Sequence, residues 1–174
     1  MKSLLLIYSR TSIRAITLGS TLLCMPFVFS AEQERPAASV KQSLNEKATA
    51  AAWESFNGGK YQAAITNAMF CIDEFKGAAD RLEAKLEKEK PDLPTGTVSE
   101  EIKKKIFQNG LLNDVATCFF VKGRAEEKLG KTEDAAKTYT SVKAYSYART
   151  WDPSGGWFWS PSEAASDRLA TLSK

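Results

Sequence analysis

The 174-residue sequence contains no histidine. Imidazole is the side chain that titrates near neutral pH and the commonest metal ligand, so its absence excludes Ser-His-Asp and Cys-His nucleophile pairs and most zinc sites. Cysteine is scarce, with three residues, and so are proline, with six, and glycine, with ten. No phosphate-cradling glycine loop, dinucleotide fingerprint or metal-ligand cluster occurs, so no cofactor or metal is expected and the reading is non-catalytic. Charge of one sign is also nearly lacking: 24 Lys plus Arg stand against 21 Asp plus Glu, a formal charge of +3. That excess consists of Lys2, Arg10 and Arg14, because residues 1–30 hold no acid and the rest of the chain is balanced. A neutral body carries no electrostatic footprint for nucleic acid.

What those first residues do contain is the pattern of an export signal. Residues 1–14 (MKSLLLIYSRTSIR) are basic, and Ala15 to Phe29 (AITLGSTLLCMPFVF) form an apolar run too short for a comfortable membrane span. Val28 and Ser30 are the small residues of a cleavage site, and polar AEQERPAAS follows. The expectation is a signal peptide over 1–30, cleaved after Ser30 or after Ala31, with an uncleaved anchor as the alternative. A polar linker over 31–39 then leads into one helical domain over 40–174, located in the periplasm or secreted. With 43% hydrophobic and 26% charged residues, the composition suits one soluble globular domain.

Beyond the linker the apolar spacing is helical throughout. A first helix is predicted from Val40 to Asn57, ended by Gly58-Gly59. From Tyr61 the apolar positions step by four and three as far as Leu86, predicting one long helix closed by Pro91 and Pro94, or two with a kink at Gly77. Thr97-Val-Ser-Glu100 reads as a capping box opening a third helix near Val98, running to Leu129 unless Asn109-Gly110 interrupts it. Thr132 is the expected cap of the next helix, with Ala135, Tyr139, Val142 and Ser146 inward. Ser160-Pro161-Ser162-Glu163 opens a last one. No segment sustains period-two alternation, which predicts no sheet.

Two turns share a spacing: Gly59-Lys60-Tyr61 with Ala64 and Ile65, and Gly130-Lys131-Thr132 with Ala135 and Ala136. Phe119 and Gly123 precede the second turn, and Tyr139 follows it. Ala48, Ala52 and Ala68 take the corresponding places in the first. This pattern resembles the tetratricopeptide repeat, and segments such as CIDEF, NDVATC and WDPSGGWFWSP resemble small exported bacterial repeat proteins. The resemblance implies an all-α fold of antiparallel helical hairpins, stacked as a short solenoid with a C-terminal capping helix, and a role in protein–protein interaction. Residues 77–110 lack the signature that a middle repeat would carry.

Three groups of residues are candidates for a site. Helical spacing from the turn glycines places Thr49, Trp53, Phe56 and Asn57 beside Phe120, Arg124, Glu127 and Lys128, a mixed aromatic and charged lining suited to a protein or peptide partner. Trp151, Trp157, Phe158 and Trp159 crowd one loop, either as an aromatic platform for a glycan or a partner's apolar anchor, or as a plug on the end of the helical stack. Cys71 and Cys118 lie almost equidistant from Pro94, so an antiparallel hairpin would bring them to the same height. A disulfide there would contribute about 4 kcal/mol in the chain-entropy model, and the alternative is two buried thiols.

The sequence thus reads as an envelope binding or scaffold module with its partner on the inner helical face, the alternative being a glycan or cell-wall module using loop 151–159. Export has a direct test. Amino-terminal sequencing of the protein from its native envelope should begin at Ala31 or one residue later, and the mature form should focus well below the full-length pI of 8.7. An intact Met1 would refute cleavage.

Overall fold

A computed structural model of the chain describes residues 43–173. The expected signal peptide, the linker and the first residues of the 40–174 domain lie outside the described residues. The described chain is 71% helix. In order it contains α1 (Leu44–Asn57), α2 (Tyr61–Glu89), α3 (Glu100–Phe107), α4 (Gly110–Lys128), α5 (Thr132–Val142), β1 (Thr150–Asp152), β2 (Trp157–Trp159) and α6 (Pro161–Leu172). None of these helices is long and apolar enough to cross a membrane.

The helix ends follow local chemistry where tertiary contacts allow it. Glu46 accepts from the Ser43 backbone N–H at 2.9 Å, capping α1 at Leu44; Val40, the expected start, lies outside the described residues. α2 runs unbroken through Gly77 and ends where Lys90, just before Pro91, turns left-handed at φ 47°. The third predicted helix divides at Asn109-Gly110 into α3 and α4. Its cap is Ser99, not Thr97, because Gly96 exchanges two backbone hydrogen bonds with Phe158, at 2.7 and 3.0 Å, which keep this segment out of the helix. Ser160 caps α6 as expected, accepting from the Glu163 N–H at 3.2 Å with Pro161 following.

The turns α1–α2 and α4–α5 have one geometry. Gly59 and Gly130 are left-handed, at φ 72° and 74°, a conformation that costs glycine nothing. Lys60 and Lys131 follow at φ −87° and −85°, donating to Ser55 O at 2.8 Å and Glu126 O at 2.9 Å. Six-to-one closure of this kind satisfies the last carbonyls of a helix. It also makes Lys131 the cap of α5, so Thr132 is the first helical residue instead of the cap.

Packing centres on α4, which contacts α1, α2, α5, α6 and β1. Leu112, Val115, Ala116, Val121 and Ala125 are fully buried, each large apolar side chain contributing about 1.5–3 kcal/mol. Against it lie small residues of its neighbours, Ala48 and Ala52 from α1 and Ala64 and Ala68 from α2. Among the described residues every buried side-chain nitrogen and oxygen has a hydrogen-bond partner. Past α5, the segment leading to β1 is fastened to α2. Glu83 accepts from Ser146 Oγ at 2.8 Å and from the Tyr147 N–H, and Asp80 accepts from Tyr145 Oη at 2.7 Å. Burial raises the Glu83 carboxyl above its ordinary range, the hydrogen bonds from Ser146 and Tyr147 opposing it.

The prediction of no sheet is overturned by the antiparallel hairpin β1–β2, in which Trp151 pairs with Phe158. Strands of three residues are too short for alternation to register. Asp152 shapes the connection, its Oδ1 accepting from Ser154 N–H at 2.8 Å and Gly155 N–H at 3.2 Å. Phe158 faces a second small core with Leu93 and Ile106.

α5 approaches α4 closely at Gly123. A Cβ added at Gly123 would lie 2.7 Å from Tyr139 Cε1, and Tyr139 is buried with its hydroxyl donating to Glu127 at 2.8 Å. Gly123→Ala is therefore expected to destabilise the protein by about 1–2 kcal/mol in urea unfolding, although Ala is the better helix former. A stabilised variant would show that the Tyr139 ring can move aside.

Candidate functional site

The hairpin, α1 and α4 enclose a groove. Its larger part is a cavity of about 560 Å³ lined by Trp53 and Asn57 of α1, Phe120 of α4, Thr150, Trp151 and Asp152 of β1, Pro153, Trp157 and Trp159 beyond it, and Ala164 of α6. A second cavity of about 480 Å³ shares Trp53, Thr150, Trp151 and Pro153, and continues past Phe107 to Thr49, Asn113 and Asp114. Two residue sets far apart in sequence, the inner helical face and the tryptophan loop, thereby become opposite walls of one space.

Each wall is held from behind. Thr150 Oγ1 is 2.7 Å from Thr117 Oγ1 of α4, and Asn113 Oδ1 accepts from the Arg149 N–H at 2.9 Å, which together pin β1 to α4. Trp159 meets the Phe120 ring edge-on at 5.1 Å between centroids, and Trp151 packs on Phe158 at 4.9 Å. Lys103 Nζ lies 4.4 Å from the centre of the Trp151 ring. Trp53 meets Phe56 edge-on at 5.8 Å, fixing the α1 wall. Trp157 is 39% exposed, the most exposed of the hairpin's aromatic rings.

The inner-face candidates separate in this geometry. Trp53, Asn57 and Phe120 line the larger cavity. Phe56 and Arg124 are placed beside it, the guanidinium 5.5 Å from the Phe56 centroid and 5.9 Å from that of Phe120. Glu127 is placed elsewhere: it accepts from Tyr139 Oη and pairs with Arg168 of α6, tying three helices together. Lys128 is exposed at the end of α4. The tryptophan loop divides too: Trp157 and Trp159 line the groove from one face, Phe158 is fully buried on the other, and Trp151, its cross-strand partner, packs on Phe158 while also bordering the groove. Phe158 thus closes the Leu93–Ile106 core while Trp157 and Trp159 line the cavity.

Cys71 and Cys118 come together as buried thiols. Thr49 Oγ1 lies 3.3 Å from Cys118 Sγ and 3.8 Å from Cys71 Sγ. Nearby, Asn45 Nδ2 donates to Asp114 Oδ2 at 2.5 Å, joining α1 to α4. Burial raises the Asp114 carboxyl to about 6; the Asn45 hydrogen bond opposes the rise, and the Glu46 charge adds to it. Glu46, the other acid on that cavity, already receives the Ser43 N–H. Sequence spacing had no means of finding Thr150, Pro153 or Ala164, which carry no distinguishing residue chemistry. Asp114 had one signal, an acid inside an apolar helical stretch.

Chemically, the groove is a largely apolar surface. Its walls are aromatic, its polar groups are mostly spent on internal hydrogen bonds, and among the described residues no group of three or more acidic or cysteine side chains converges as a metal site would require. No family model matches the chain, and neither a curated protein nor a solved structure matches it.

Asp114 links this site to stability. Folded, it keeps its proton up to about pH 6, whereas the unfolded carboxyl releases it near 3.8. The folded state binds the extra proton between those limits, so its stability falls as pH rises through them. Asp114→Asn is expected to raise the unfolding free energy near pH 7 by on the order of 2 kcal/mol and to change it little below pH 4. An equal effect at both pH values would refute the protonation argument.

Proposed function

We propose that the protein is a non-catalytic binding module of the cell envelope, which holds a short apolar segment of a protein partner in the groove between α1, α4 and the β1–β2 hairpin. One observation carries this reading: Trp53, Asn57 and Phe120 share a cavity with Trp151, Trp157 and Trp159. Large rigid aromatic walls lose little entropy on binding and suit an apolar anchor. Arg124, stacked on Phe56 and Phe120 beside the groove, would favour a partner carrying an acidic residue next to that anchor.

Export rests on the sequence of residues 1–30. A stack of tetratricopeptide-type hairpins is the architecture we favour. Its support is the common geometry of the Gly59 and Gly130 turns and the close seating of Tyr139 on Gly123.

The alternative is a glycan or cell-wall module using the same tryptophans, favoured by the exposure of Trp157. A sugar needs several free hydrogen-bonding groups besides an aromatic face. Thr150 is engaged with Thr117, and Asp152 Oδ1 with its own turn. The peptide reading is therefore preferred.

A photoreactive residue at Asn57 should crosslink a defined protein segment in the native envelope. Trp157→Ala should cut that yield by about tenfold with little change in thermal stability, as expected for a partly exposed anchor. Tryptophan fluorescence should stay flat with cell-wall oligosaccharides. A saturable fluorescence shift with those sugars, and no crosslinked protein, would replace this reading with the glycan one.

A further inference from the structure

Three helices meet at one pair of sulfur atoms. Cys71 of α2 and Cys118 of α4 are both fully buried, and the hydroxyl of Thr49 from α1 is 3.8 Å from Cys71 Sγ and 3.3 Å from Cys118 Sγ. The Thr49 hydroxyl thus bridges the two thiols. Cys71 Sγ approaches Asp114 O at 3.9 Å, so its surroundings are helix backbone, a hydroxyl and its counterpart thiol. Side chains of the bulk of Ala, Thr and Cys are what allow α1, α2 and α4 to approach at this level, with Ala48, Ala52 and Ala68 also buried there.

We propose that Cys71 and Cys118 form an intramolecular disulfide when the chain folds in an oxidising medium, before the α1–α2–α4 core has closed. Timing follows from chemistry. The thiolate is the nucleophile in exchange. In the closed core, hydrogen bonding to Cys71 and burial push the Cys118 thiol far above its ordinary range. No reagent reaches two side chains with no exposed surface. While the helices are still assembling, the thiolate of one cysteine attacks a disulfide of the oxidant, a low-molecular-weight disulfide or an exchange protein. One thiolate leaves, and a mixed disulfide results. The second cysteine then displaces the remaining half. Two cysteine thiols lose two electrons and two protons, and the oxidant's disulfide becomes two thiols. The product joins α2 to α4 behind the groove.

The test uses the full chain carrying Cys24→Ser, so that no third thiol competes. It is unfolded and reduced, then refolded in mixed oxidised and reduced glutathione, alkylated and digested with trypsin without reduction. The tryptic fragments 61–76 and 106–122 should appear as one species, lighter than their sum by two hydrogens and separated by reductant. Folded, reduced protein given the same glutathione should convert about tenfold more slowly or worse, as burial requires. Refolded protein with native helical signal but both cysteines alkylated, or carrying glutathione, would overturn the pairing. Equal rates from folded and unfolded starting states would overturn the order of events. Because the medium supplies the oxidant, neither result depends on export or on the groove's partner.

Discussion

The constraint on which the structure depends is that α4 is wrapped on nearly every side. A helix apolar around most of its circumference cannot face water, so α1, α2, α5, α6 and β1 all pack against it. Its polar positions must then be satisfied inside the protein. Asn113 spans from Ile106 O to the Arg149 N–H, Thr117 reaches Thr150, and Glu126 receives Lys122 and Thr138. These hydrogen bonds give an otherwise nonspecific apolar contact a unique register, because a shifted neighbour would strand a buried polar group.

The groove follows from the same constraint. Its floor is α4, and its hairpin wall hangs from Asn113 and Thr117. The second wall, α1, is set by the Asn45–Asp114 hydrogen bond and by Thr49 between the two thiols. Site geometry and core geometry are therefore one problem. A change at Thr117 or Asn113 would displace Trp151 and Trp159 without touching either, whereas the partly exposed Trp157 can be altered with little consequence for the fold.

The hairpin explains why an aromatic-rich loop invites two opposed readings. In an extended strand successive side chains alternate faces, so Trp157 and Trp159 open to the groove while Phe158 between them closes the Leu93–Ile106 core. Burial and exposure thus fall to adjacent residues, with Phe158 anchoring the strand between the two tryptophans.

Helix positions, the two glycine turns, the Ser160 cap and the nearness of Cys71 to Cys118 were legible in the sequence, because helical periodicity, left-handed glycine and rise per residue are local properties. So was the mainly helical class. Three things belonged to the tertiary structure. The cap moved from Thr97 to Ser99 because a distant Phe158 backbone pairs with Gly96. A hairpin formed from strands too short to have a pattern of their own. Glu127 was drawn to Tyr139 and Arg168 while Trp53 and Phe120 were joined to the tryptophan loop. Each of these is a contact between segments far apart in the chain, decided by which buried polar and apolar groups find partners once the helices have packed.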